Sequence, residues 1–427
     1  MLNSNALTKV QSIIWIAVIV VAGVGGGAAY LLSNGEEQSS ETIKIGLLKG
    51  VDDAIGKSIL QAVVLAAEQL NDEGGIMGKQ VEVKLDVSLS RLFTIHEVDF
   101  VCATAGHAGF GAQDLFSEYK KIFFDLSGAQ DEFTQRILDD FECSKYYFRM
   151  AFNANQVLQS IIDPLLFLRE QTGFNRVGLI RTDVKLSKGI MDGLEVVLPE
   201  LGFDVVYREV FPLGVYGTLD FTSYFAVAEA EGVEVLVPLI SGSIGIPFVK
   251  EWYDRQSPMV IYGGYIGGGI EDTEGWEITG GSCKYISVSS IPSVAGYPLT
   301  SKTIPYREAY IDRWGEVPDT ISSNGYNTVR YILPDAIDRA GTFETDAVIQ
   351  ALERTSIETT DARNFVFTSS HDIMMGDPNN LEADYPITIQ FQWQNGELVP
   401  VFPKKIIEEA GTTLTFPDWP GPWDNIS

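Results

Sequence analysis

From Ile43 onward, short apolar runs alternate with longer stretches in which apolar residues return every three to four positions. Ile43 to Leu48 (IKIGLL) reads as a strand, and Ile59 to Leu70 (ILQAVVLAAEQL) has helical spacing with no Gly or Pro inside it. Gly74-Gly75-Ile76-Met77-Gly78 stops that helix and turns the chain into a second strand over Val81 to Leu85. Further strands are predicted over Val98 to Ala103, Lys121 to Leu126, Arg176 to Ile180, Asp204 to Tyr207 and Val233 to Val237. Helices are predicted over Val157 to Arg169, Lys188 to Leu201 and Tyr224 to Glu231. Strands alternating with helices imply an α/β protein with parallel sheets, because each crossover lays a helix on the sheet. This part of the chain, about 385 residues, exceeds what one core usually holds, so two lobes are expected.

A different pattern precedes these elements. Twenty uncharged residues, Ile13 to Leu32, follow Lys9 and come before Glu36, Glu37 and Glu41. A helix of that length rises about 30 Å, enough to span a bilayer once. The positive-inside rule then keeps a tail over residues 1–12 in the cytoplasm and places residues 43–427 outside, after a polar linker over 33–42. The alternative is a cleaved signal segment, since Gly27-Ala28-Ala29 resembles a small-residue cleavage site.

Charge narrows the partners. With 58 acidic against 30 basic residues the net charge is −28, which argues against nucleic acid. Three cysteines are too few for a disulfide scaffold. Cys102 and Cys143 could pair in an oxidising compartment, leaving Cys283; the alternative is three buried free thiols.

In open parallel sheets ligands bind at the carboxyl ends of strands, so the loops after Leu48, Ala103, Leu126, Ile180 and Val237 are the places to search. Gly50 to Ser58 looks like a phosphate loop, but it has five residues between its glycines where the nucleotide motif has four, and Asp52 and Asp53 would repel phosphate. His96, His107 and His371 have no partners at metal-ligand spacing, and neither a metal nor a cofactor is expected. Ser241-Gly242-Ser243 lacks the surroundings of a nucleophile. Gly263 to Gly269 (GGYIGGG) reads as a strand end whose loop lets backbone approach something closely. The last residues, 408–427, are Pro-containing and are expected to lie over the surface as a tail.

In their order and spacing, several motifs resemble the leucine/isoleucine/valine-binding family of type I solute-binding proteins of ABC transporters. They are Ala62 to Gly78 (AVVLAAEQLNDEGGIMG), Tyr147-Phe148-Arg149-Met150, Val177 to Ile180 with Asp183 and Gly189, Gly325 to Val329, and His371-Asp372 before Gly376. The resemblance implies two Rossmann-like lobes joined by three crossings, near Arg149, Ile286 and Phe365. Lobe one would then hold 43–149 and 287–365, and lobe two 150–286 and 366–407. It also implies a monomer that does no chemistry, captures a solute between the lobes and docks on a permease.

Family members hold a ligand carboxylate on two loops of the first lobe. Those loops correspond here to Ala105-Gly106-His107 and Ser127-Gly128-Ala129-Gln130. Tyr265 falls where most members place an acid against the ligand's ammonium, and a phenol carries no full charge near neutral pH. Glu271 or Asp272 is the alternative acid that could reach in instead, although a solvated surface is the expected place for both. Ile55 and Leu186 stand where tyrosines are common, while Tyr326 remains. With Ser243, these residues form the expected site: Ala105, His107, Ser127, Gly128, Gln130, Ser243, Tyr265 and Tyr326. The pocket so drawn suits an amide or modified amino acid better than a zwitterion. The second functional reading is a sensor or surface interaction protein on the same fold.

Overall fold

The structure is a computed structural model and describes residues 42–48, 54–103, 111–212 and 219–426. The segment Ile13 to Leu32 lies outside the described residues, and so do Ala105, His107 and the first four residues, Gly50 to Asp53, of the phosphate-loop lookalike. Among the described residues, no helix is long and apolar enough to cross a membrane.

Five parallel strands make the first sheet: β1 (Ile43–Leu48), β2 (Val81–Asp86), β3 (Phe100–Ala103), β4 (Ile122–Asp125) and β5 (Tyr147–Arg149), in the order β2-β1-β3-β4-β5. The inner strands β3 and β4 are buried at every position, as parallel strands covered on both faces must be. The helix Ala54–Asp72 starts earlier than its apolar spacing indicated and carries Ile59, Ala62, Val63 and Ala66 into the core. Between β2 and β3 the chain has room for a short helix only, Leu89–Thr94.

The second sheet contains β6 (Arg176–Thr182), β7 (Asp204–Phe211), β8 (Val235–Ile240), β9 (Val260–Ile261) and β10 (Tyr265–Ile266). Its order is β10-β8-β6-β7, with β9 also on β8. Pro238 lies inside β8, where a missing N–H would normally break the ladder. It is tolerated because β9 pairs with Val235 and Leu236 and β10 with Leu239 and Ile240, so Pro238 falls in the gap between them. A small antiparallel sheet, β11 (Ser287–Ser290), β12 (Ile389–Gln394) and β13 (Glu397–Phe402), packs on this half.

Two hydrophobic cores follow from this arrangement, one around the first sheet and one around the second. Val288 and Ala295 belong to the second core and Tyr306 to the first, so the chain passes between cores after Ala295 and not at Ile286. Phe367 and Ile373 still pack in the first core and Ile389 in the second, which moves the last crossing beyond Phe365. The end of the chain is more than a surface tail: Trp419 and Trp423 are buried in the second core, and the Trp419 indole donates to Ser257 O at 3.1 Å.

The expected cysteine pair is not formed. Cys102 is buried inside β3 between β1 and β4, whereas Cys143 is exposed on the short helix Phe141–Ser144, and Cys283 is a buried free thiol. The alternative of three buried thiols therefore fails at Cys143 alone.

Candidate functional site

Both parallel sheets present their carboxyl ends as loops. On the first lobe the described loop is Leu126 to Gln130, between β4 and the helix Asp131–Asp139. Its conformation is set from behind by buried charge. Asp125 accepts from the backbone N–H of Gly128 at 2.8 Å and of Ser127 at 3.3 Å. Arg149, with no exposed surface, donates to the carbonyls of Gly128 and Gln130, the latter at 2.8 Å. The same guanidinium donates through Nε to Asp372 Oδ1 at 2.6 Å. Ala129 O accepts from the N–H of Ala154, the first residue of the helix Ala154–Thr172 across the crossing, at 2.7 Å. Asn324 closes the loop from another side by donating to Leu126 O at 2.9 Å.

The crossing itself is built into this network. Asp372 also accepts from Thr134 at 2.8 Å and Asn153 at 3.3 Å. Its neighbour His371 is buried, stacks on Phe148 with centroids 4.0 Å apart, and donates from Nδ1 to Tyr147 O at 3.0 Å. Burial holds the imidazole below its usual pKa. A histidine that looked isolated in sequence is thus part of the hinge, while His96 bonds Asp86 at 3.0 Å.

On the second lobe the loops after β6, β8 and β10 meet. Thr182 Oγ1 accepts from Ser241 N at 3.1 Å, and Ser187 Oγ donates to Thr182 O at 2.6 Å. Ser243 is exposed at the turn before the helix Gly245–Arg255. The glycines that follow β9 make close backbone approaches possible: Gly264 has φ +60°, and a Cβ there would stand 2.0 Å from Pro238 O. At Gly267 a Cβ would stand 2.6 Å from Gly242 N, which ties the loops after β8 and β10 together.

Tyr265 lies in register with Leu239 on β8, as does Arg181 on β6. Its hydroxyl is buried, with Ser187, Ser241 and Arg181 as polar neighbours but no well-formed hydrogen bond, and burial raises its pKa. The phenol expected to meet the ligand is therefore turned into the second lobe. Glu271 departs from expectation in the opposite direction. Its Oε2 is buried without a partner, and burial, with Asp272 and Asp319 adding negative charge nearby, lifts its pKa to about 7. Asp319, which caps the helix Thr320–Asn327 by accepting from Ser322 N at 2.7 Å, belongs to the first lobe. Its Asp-x-x-Ser spacing was a readable helix-start signal; its approach to Glu271 was not.

Tyr326 is displaced from the expected site. Its hydroxyl donates to Gln69 and its ring lies 4.2 Å from that of Tyr306. Gln69 is fifteen residues into the helix Ala54–Asp72, about 22 Å from the end that faces the loops. Tyr326 instead borders a surface groove with Arg330 and Tyr331. Leu186, by contrast, is exposed at the start of the helix Lys185–Glu200. Lys57, the lysine of the phosphate-loop lookalike, is bound by Glu316 at 2.8 Å.

Comparison with known proteins now decides the family. A family model described as periplasmic binding protein matches residues 42–377. The chain belongs to that family. Among curated relatives it is 23% identical over 397 residues to Leu/Ile/Val-binding protein homolog 7 of Brucella abortus, covering 87% of this chain and 94% of the relative. Its fold matches a putative branched-chain amino acid ABC transporter from Silicibacter pomeroyi with a TM-score of 0.75 at 17% identity, covering 89% of this chain and all of the other. It also matches the branched-chain amino acid transporter substrate-binding protein LivJ from Streptococcus pneumoniae, solved with isoleucine, at a TM-score of 0.62 and 20% identity, covering 84% of this chain and 100% of that one. Membership of the family carries a solute-binding role and the two-lobed α/β fold.

Proposed function

We propose that this binding protein is the extracellular substrate-binding component of an ABC importer, capturing a small polar solute between its lobes and delivering it to a permease. The observation that carries this reading is the pair of parallel sheets with independent cores, each ending in loops, joined by crossings whose side chains bond directly to the loop Leu126 to Gln130. Such an arrangement links solute contact to hinge closure. Ser127, Gly128 and Gln130 form the first-lobe side, with Ala105 and His107 proposed beside them from their place after β3. Ser243 and the neighbourhood of Tyr265 form the second-lobe side.

The solute class we infer is an amino-acid derivative, an amide or a similar compact polar molecule. Tyr265 supplies no charge, and Glu271 has a carboxyl that burial favours in its neutral form, so neither is a ready counter-ion for an ammonium. We place the domain outside the cell, held by Ile13 to Leu32, and read the protein as a monomer. An external protease should then remove it from intact cells.

A thermal-shift screen over amino acids, their amides, urea and short-chain acids should find a stabilising compound, and saturation with it should lower the radius of gyration in solution scattering. Stabilisation without compaction would refute capture between closing lobes.

A further inference from the structure

Two acids from opposite lobes come together at the loop-bearing ends of the sheets. Glu271 follows β10 in the second lobe, and its backbone carbonyl accepts from Ser290 Oγ at 2.8 Å. Asp319 caps the helix Thr320–Asn327 of the first lobe and has Ser58, near the start of the helix that follows β1, as a further polar neighbour. The surroundings of Glu271 are negative. Its Oε2 is buried without a partner, Asp272 faces it from its own loop and Asp319 faces it from the other lobe. Glu274 adds charge beside Asp272. Arg307, on the first-lobe helix Thr303–Trp314, acts on Asp272 and Glu274, and donates to Thr273 Oγ1 at 2.7 Å and to the carbonyls of Ser293 and Val294. Lys57 is bound by Glu316. Among the described residues, no cation pairs with Glu271. The bond from Arg307 to Thr273 therefore joins the lobes whatever the pH, whereas Glu271 beside Asp319 is a contact that one proton decides, since two carboxylates held together out of water resist ionising together.

We propose that Glu271 and Asp319 form a proton-controlled latch between the lobes: with the proton on Glu271 the lobes hold the arrangement seen here, and its loss drives the two acids, and the loops that carry them, apart. The latch rests on the lobe motion proposed above but on no particular solute. In the latched arrangement Glu271 keeps its proton up to about pH 7, whereas in the separated one it regains water and ionises nearer its ordinary value of 4.5. Acid therefore favours the latched form. Across that window each pH unit shifts the ratio of the two forms by up to about tenfold.

The test uses the full chain without added solute. Small-angle scattering should give a larger radius of gyration at pH 8 than at pH 5, with the change falling between 4.5 and about 7. Glu271→Gln, which keeps the shape of the neutral acid, should hold the smaller radius at both pH values. Glu274→Gln removes an exposed acid of the same loop and should behave as the unaltered protein. Asp319→Asn, which can still cap its helix, should reduce the change. A radius indifferent to pH would overturn the latch. So would an expansion as large in Glu271→Gln as in Glu274→Gln, which would assign it to the net charge of −28. Should Glu271→Gln fold poorly, Asp319→Asn decides alone, an undiminished change rejecting the contact. A radius that follows pH as expected, in a protein that none of the screened compounds compacts, would leave the latch standing while solute capture fails.

Discussion

The two lobes solve one problem by different physics. In the first, the loop after β4 is shaped by ionised groups taken out of water: Asp125, Arg149 and Asp372, all buried and all hydrogen-bonded. In the second, the loops after β8, β9 and β10 are shaped by the absence of side chains, with Gly264 against Pro238 and Gly267 against Gly242, and by uncharged hydroxyls at Thr182, Ser187 and Ser241. A charge network holds a loop strongly but depends on both partners. Glycine packing is indifferent to charge and sensitive to one carbon atom. In the proposed site, one side is thus tied to the segments that cross between the lobes and the other only to its own sheet.

Breaking the first side should have the larger effect. Arg149→Met leaves Asp372 buried without its cation and should cost about 3–5 kcal/mol of unfolding free energy in a urea titration. Adding Asp372→Leu should return most of that loss, because removing a buried pair as a unit is often close to neutral. A double variant as unstable as the single one would mean that the ion pair is not what holds the region.

The second side should respond to size alone. Gly264→Ala must place a Cβ against Pro238 O at φ +60°, and we expect a loss of about 2–4 kcal/mol that is the same at low and high salt. A salt-dependent loss would show that electrostatics acts there too.

Glu271 sharpens the contrast, as an acid placed on the uncharged side. Its folded pKa of about 7 lies above the ordinary glutamate value of 4.5, so the folded protein keeps a proton that the unfolded chain releases across that window. Stability from this group is intact below about pH 4.5 and falls as pH rises toward and through 7, at a cost of up to about 3 kcal/mol by pH 8. Glu271→Gln should therefore raise the urea midpoint at pH 8 and leave it nearly unchanged at pH 4. An equal gain at both values would assign the effect to packing rather than ionisation.

Much of the fold was legible because its strands are buried on both faces and its first helix has clean apolar spacing. Ile43 to Leu48 and Arg176 to Ile180 declared themselves by composition, and Gly74 to Gly78 by its turn residues. The small antiparallel sheet did not. Its strands read SVSS and IQFQWQ: the first has no apolar alternation, and in the second Ile389, Phe391 and Trp393 alternate with Gln390 and Gln392 that are buried as well, so the alternation there does not separate a core face from a solvated one. The candidate site divided the same way. Arg149 and His371-Asp372 stood out as motifs, but nothing local joined them, since 223 positions separate Arg149 from Asp372.

The chain by itself determined its layers and its family, since those depend on local periodicity and on turn residues at fixed offsets. Tertiary structure decided which way side chains face. Tyr326 turns to Gln69 at the far end of a helix, Tyr265 buries its hydroxyl under Ser187, Glu271 is drawn out of water, and Trp419 closes the second core. Each of those outcomes is set by what another segment, often a hundred or more residues away, brings alongside, and burial, charge pairing and peptide orientation have no counterpart in the spacing of letters along one strand or helix.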